Sequence, residues 1–206
     1  MNIITAPHDL YDLETAHAPS LFLAGGITNC RDWQSTMIEE LRCQAVCSDL
    51  TIYNPRRADF DIKNPKAREE QICWEFAKLR DSDVVSFWFA PGSVNPIVFY
   101  ELGMWGNSRP ERPMCVGCDH EFTRIADVVM QTNLARPELT VQSSLSGLVD
   151  QVVAAVFHIV MPRQRITDAP AHCPHCGWRG TVGTTNDEPG PDGELRCPVC
   201  GKLVRS

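Results

Sequence analysis

The order of signals along the chain predicts an α/β fold: a doubly wound, five-stranded parallel sheet, with a small metal-stapled domain following it. Three observations carry this expectation. Short apolar runs alternate with helical segments from about Leu21 to Val160. Turn residues stand where the runs end, at Gly25-Gly26 and Asn54-Pro55. After Val160 the apolar period is lost, and two Cys-x-x-Cys pairs appear. Strands separated by helices need crossover connections, which put parallel strands between helical layers.

Taken in order, Leu21 to Ala24 reads as a buried strand. Asp32 caps a helix running to about Cys43, and Leu50 to Tyr53 is the second strand. A helix follows from about Lys66 to Arg80, then a β-branched and aromatic strand from Asp83 to Phe89. Asn95-Pro96 opens the next helix, with Asn in the cap position and Pro in the first turn. Pro113 to Gly117 is the fourth strand, about Thr123 to Gln131 is helical, and Leu139 to Gln142 is a short fifth strand. Leu145 to Val160 closes the domain as an amphipathic helix, and Asn2 to Thr5 is a candidate extra edge strand. The expected organisation is a flavodoxin- or Rossmann-like domain over 1–162, a linker over 163–171 and a zinc ribbon over 172–206.

Composition narrows the function classes. With 43% hydrophobic residues the chain has enough apolar content for a packed core, which excludes general disorder. A net charge of −7 argues against a general nucleic-acid or membrane-surface binder. Residues 1–10 lack a basic segment followed by an apolar run, and no later run approaches the length of a membrane span, so a cytoplasmic location is expected. Ten cysteines without a secretion signal point to metal ligands and free thiols over disulfides.

Cys173-Pro-His-Cys176 and Cys197-Pro-Val-Cys200 are separated by twenty residues, and each is followed by glycine, Gly177 and Gly201. Such knuckles aim two thiolates each at one ion, completing a closed tetrahedral site. A closed site leaves no position for a reactive water, so the expected Zn²⁺ is structural and supplies folding free energy to a domain too small to fold on its core alone. His172 and His175 stand nearby as bystanders. From Arg163 onward six basic residues face five acids, which gives no basic footprint for nucleic acid. Cys115-Val-Gly-Cys118 lies on a strand with no matching second pair and reads as core thiols.

Two carboxylates stand out. In Ile97-Val-Phe-Tyr-Glu101-Leu-Gly-Met-Trp105 apolar side chains cover every direction of the helix, so the helix is expected to be buried on most sides. An ionised Glu101 there is costly unless it is paired or opens into a pocket. Glu75 borders a stripe formed by Ile72, Phe76 and Leu79, an edge position that on its own suits a solvated residue. The loops at Gly25-Gly26, Asn54 to Arg57 and Ala90 to Asn95 all follow strands, and in such sheets ligands sit outside the strands' carboxyl ends. Gly25 and Gly26 permit close backbone approach, and Arg56 and Arg57 suit a phosphate or a solvated loop equally.

The elements FLAGGITNCRDWQ, YNPRR, QICWEFAKLRDSDVVSFWF and PIVFYELG, spread over about Leu21 to Pro137, resemble the nucleoside 2-deoxyribosyltransferase family, in its deoxyribosyltransferase-like branch. The resemblance implies a nucleoside or nucleotide as substrate and no cofactor for catalysis. It implies that Glu101 is the nucleophile and that Glu75, eight residues before Asp83, protonates the leaving base. It places Asn95, six before Glu101, at the sugar's 5′ end, where classical members carry Asp. It also implies a homo-oligomer. Cleavage or transfer at the N-glycosidic bond is the activity expected; hydrolysis of a nucleoside 5′-monophosphate and a non-catalytic nucleotide-sensing module are the alternatives.

Overall fold

The computed structural model describes residues 1–7, 18–61, 63–167, 170–181, 196–200 and 202–203, with residues 107, 162–167 and 170–171 described by backbone alone. The chain divides into two compact units, 1–157 and 158–206.

The first unit holds a five-stranded, all-parallel sheet. Its strands are β1 (Asn2–Thr5), β2 (Ser20–Gly25), β3 (Thr51–Asn54), β4 (Val84–Phe89) and β5 (Met114–Cys118), in spatial order β1-β3-β2-β4-β5. β2 pairs with β4 in the register Leu21–Val84 to Gly25–Trp88. The chain leaves β2 for β3 on one side and then crosses to β4 on the other. The sheet therefore has a switch point between β2 and β4, where the loops after both strands diverge and leave a crevice.

Helices cover both faces. α2 (Pro65–Asp81), α3 (Pro96–Ser108) and α4 (Ile125–Ala135) lie on one, where Trp74, Leu79, Val98, Trp105 and Val128 pack with Phe22, Phe87, Phe89 and Val116 in one core. On the other, α1 (Trp33–Arg42) brings the Trp33 ring against Gly25, and α5 (Leu145–Thr167) brings Leu148 against Gly117. The period of two along the strands explains the division: Leu21 and Leu23 point away from Phe22 and Ala24, and all four are buried. Asp32 caps α1 as its residue type predicts, accepting from the Ser35 amide at 3.1 Å. Asn64, with Pro65 behind it, caps α2 through the Lys66 and Ala67 amides.

Three expectations change. The fifth strand is Asn2–Thr5, paired along its whole length with β3, while Leu139 to Gln142 contributes a single bridge to Gly117. The cause is Gln151: its Oε1 accepts from the Val116 amide at 3.1 Å, and its Nε2 donates to the Thr140 carbonyl at 3.0 Å. That side chain occupies the sheet edge which a further strand would need. Second, α5 continues through Thr167, seven residues beyond Val160, so residues 163–167 of the expected linker are helical. Third, α3 is not enclosed, because Ile97 is 63% and Tyr100 65% exposed.

In the second unit, β6 (Pro170–His172) and β7 (Arg179–Thr181) form an antiparallel pair. Among the described residues, no helix is long and apolar enough to cross a membrane.

Candidate active site and metal centre

The candidate active site lies on the carboxyl rim of the sheet, where α2 and α3 run side by side. The Phe76 and Trp105 rings, 5.5 Å apart, join the two helices. Glu75 neighbours Phe76, and Glu101 lies one turn before Trp105 on the same flank of α3. This puts the two carboxyls within electrostatic reach of each other. Burial, reinforced by the charge of Glu75, pushes Glu101 up to about 8. Burial raises Glu75 as well, opposed by a hydrogen bond from Gln71. Among the described residues no salt bridge to Glu75 or Glu101 is formed.

Of the expected Ile72–Phe76–Leu79 stripe only Leu79 is buried, since Ile72 is 61% and Phe76 48% exposed. Gln71, Trp74 and Lys78 turn inward with it. Lys78 is tolerated there because its ammonium lies 4.8 Å from the centre of the Tyr53 ring. Glu75 stands at the margin of this polar-and-aromatic face. Gln71 was missed in the sequence. Its Nε2 donates to the Pro55 carbonyl at 2.8 Å and to Glu75 Oε1 at 2.7 Å, so it ties the catalytic candidate to the loop after β3. The available signal was its i, i+4 relation to Glu75.

Asn95 occupies the N-cap position of α3 without capping it. Its backbone is left-handed (φ 50°, ψ 43°), and its side chain makes no cap bond. That turn sends the amide back toward Ser93, whose hydroxyl donates to Asn95 Oδ1, while Asn95 Nδ2 is buried without a partner. Both side chains fill the space beside Gly26, where a Cβ would meet Asn95 Oδ1 at 2.4 Å and Ser93 Oγ at 2.6 Å. A Cβ on Gly25 would meet Trp33 Cζ2 at 2.4 Å and the Trp88 carbonyl at 2.6 Å. The glycine pair is thus required by the protein's own close packing at the switch point.

Arg56 and Arg57 are both engaged by protein groups. Arg56 donates to Gln34 Oε1 (2.8 Å) and the Arg31 carbonyl (3.1 Å), and stands 3.3 Å from an Asp32 oxygen. It clasps the loop after β3 to the loop after β2. Arg57 pairs with Asp59 at 3.2 Å and lies over the Phe60 ring. Cys115 and Cys118 are buried in β5 as core thiols, and burial raises both to about 12.

The second unit brings Cys173, Cys176, Cys197 and Cys200 together, all four sulfurs within 4.8 Å of one another. Cys173 and Cys200 sulfurs are 3.5 Å apart, and Cys176 and Cys197 3.6 Å. A disulfide needs about 2.05 Å, whereas thiolates about 2.3 Å from one tetrahedral ion stand about 3.8 Å from each other. The first knuckle closes through the Gly177 amide on the Cys173 carbonyl, with Gly177 at φ 77° as that turn demands. In the second, the Val199 amide points at Cys197 Sγ at 3.4 Å; Gly201 lies outside the described residues. The four cysteines are suited to a metal ion such as zinc.

No curated protein matches the chain. A family model does: the one described as nucleoside 2-deoxyribosyltransferase like matches residues 18–122, just over half of the chain and the whole stretch from β2 to the loop after β5. On that match, with both glutamates inside it, the chain belongs to the nucleoside 2-deoxyribosyltransferase-like family.

Proposed function

We propose that the first unit cleaves or transfers the N-glycosidic bond of a deoxynucleoside through a glycosyl-enzyme on Glu101. The observation that supports this reading is the pair of half-buried, electrostatically coupled carboxyls on the ligand rim of the sheet. A Glu101 oxygen attacks the sugar's C1′ as the bond to the base nitrogen breaks. The bonding electrons leave with the base, which takes a proton from Glu75. A second base, or water, then attacks C1′, displaces the Glu101 carboxylate and returns a proton to Glu75. Gln71 holds Glu75 in place. Asn95 serves the sugar's 5′ end, its unpartnered Nδ2 supplying the donor. Gly25 and Gly26 offer backbone at the crevice. A 5′-phosphate at Arg56 or Arg57 would have to displace Asp32 or Asp59, which favours a nucleoside over a nucleotide.

In this reading the four cysteines hold a structural zinc, with no open position for chemistry. The exposed apolar side chains flanking the glutamates on α2 and α3 (Ile72, Phe76, Ile97, Tyr100) support a homo-oligomer that covers them.

The test incubates the full chain with a deoxynucleoside and a different free base. New nucleoside identifies transfer, and free deoxyribose identifies hydrolysis. Neither product, or full turnover by Glu101→Ala, refutes the proposal.

A further inference from the structure

A second cleft, of about 270 Å³, opens between α3 and α4 on the flank of α3 facing away from Trp105 and Phe76. It is lined by Phe99, Leu102, Gly103, Gly106, Met114 and Thr132, among others. Met114 opens β5, so this cleft reaches toward the amino ends of the strands, the end opposite to the catalytic rim.

Two glycines inside a 13-residue helix are unusual in energetic terms, since each costs about 1 kcal/mol relative to alanine. Neither backbone requires it, because among the described glycines only Gly92 and Gly177 have positive φ. Neither is forced by crowding. A Cβ on Gly103 would meet nothing within 4 Å, and one on Gly106 would make only ordinary contact, 3.7 Å from Met114 Cε. What the glycines provide is space.

Thr132, which lines that space, carries an orphan hydroxyl. A helical threonine commonly bonds the carbonyl one turn back. Thr132, only 4% exposed, does not, and its buried Oγ1 has no partner. Leaving such a group unsatisfied is costly, and a ligand that carries a complementary group removes that cost. The other walls are mostly apolar, a phenyl ring, a thioether and the Leu102, Val128 and Ala135 side chains, surfaces that favour the face of an aromatic ring, while Asp127, Gln131 and Arg136 add polar edges. An apolar cavity of about 150 Å³ accommodates benzene, so the space here suits one or two fused rings.

From these features we infer a second ligand site, in which the α3–α4 cleft binds a flat one- or two-ring heteroaromatic molecule through ring contacts with Phe99 and Met114 and one hydrogen bond to Thr132 Oγ1. This site is independent of the N-glycosidic reading.

The test uses indole as probe on the full-length, zinc-loaded protein with ¹³C-methyl-labelled methionine. Met114 reports the cleft, and Met37, fully buried on the inner face of α1, is the control. Saturable shifts at Met114 that leave Met37 unmoved are the expected result. Gly106→Leu, which fills the floor, and Gly103→Leu, which fills the mouth, should each weaken binding roughly tenfold or more. Both should melt at or above the wild-type temperature, because each replaces a helical glycine. Thr132→Val should weaken binding severalfold at unchanged fold, and Glu101→Gln should leave it intact. No shift at Met114, binding unaffected by both glycine variants, or binding lost in Glu101→Gln would overturn the inference. So would a Gly103→Leu variant whose main effect is a change of oligomeric state, since the cleft would then be an interface between copies.

Discussion

Replacing Glu101 with Gln should stabilise the protein at neutral and alkaline pH and not in acid. Burial and the facing Glu75 raise Glu101 from 4.5 to about 8. Between those values the unfolded chain has released the proton while the folded chain retains it. The folded state therefore binds more protons, and stability falls as pH rises through this window. The wild type is unpenalised below 4.5, carries the whole penalty above about 8, and changes little beyond either limit. At about 1.4 kcal/mol per pH step, the loss could reach roughly 5 kcal/mol. Partial exposure of Glu101 and water entry reduce this, so a gap of about 2–4 kcal/mol at pH 9 is the reasonable expectation. Gln preserves size and hydrogen-bonding shape but does not ionise. The assay is urea unfolding of both proteins at a series of pH values from 4 to 9, with zinc kept saturating. General charge repulsion in this acidic chain acts on both proteins and cancels in the difference. A Gln–Glu gap that stays constant across the series would refute the argument, because Glu101 would then not be titrating in this range.

Further outcomes follow from the same structure. Gly25→Ala should destabilise the first unit by about 1–3 kcal/mol, the usual cost of overpacking, because its Cβ would sit 2.4 Å from the Trp33 ring; unchanged urea unfolding would contradict that packing. Metal analysis should find one zinc per chain, and chelation should release four thiols to a disulfide reagent; recovery of no metal from freshly purified protein would remove the site. Ile97→Asp, which places a charge on the exposed flank of α3, should reduce the mass measured by light scattering from an oligomer to a single chain; a wild type already monomeric would end the oligomer reading.

Most of the first unit was legible because its signals are local. β2, β3, β4 and β5 are short apolar runs closed by turn residues, and Asp32 caps α1 as its side chain dictates. The misreadings arose where a distant side chain decided the outcome. Leu139 to Gln142 has strand composition, but Gln151 reaches the edge of β5 first. Asn95 has the right type for a cap, but Ser93 and Gly26 hold its side chain elsewhere. The apolar stripe assigned to α2 was rotated, because Gln71 and Lys78 find partners inside, in the Pro55 carbonyl and the Tyr53 ring, which no periodicity of α2 alone can show. The four-cysteine cluster was readable because Cys-x-x-Cys spacing fixes its own geometry, whereas a pair of glutamates 26 positions apart in sequence does not.

The raised affinity of Glu101 for its proton poses a problem for a nucleophile, which must be ionised, and its solution yields a further prediction. Gln71 hydrogen-bonds Glu75 and so favours ionisation there, while among the described residues Glu101 has no such donor and is the more strongly raised of the two. At neutral pH Glu101 is therefore expected to hold its proton more firmly than Glu75. In the proposed reaction that proton must pass to Glu75, leaving Glu101 anionic beside a sugar carbon that gains positive charge as the base departs. That developing charge favours an anion at Glu101 and reverses the resting order only along the reaction path. The active form is thus the singly protonated pair, and its limits belong to the pair and not to either residue. Turnover should fall in acid as the second carboxyl is protonated, and fall again above about pH 8 as the last proton is lost. A rate that holds level or rises from pH 8 to 10, with the protein still folded by circular dichroism, would show that no shared proton is needed and that Glu75 is not the acid.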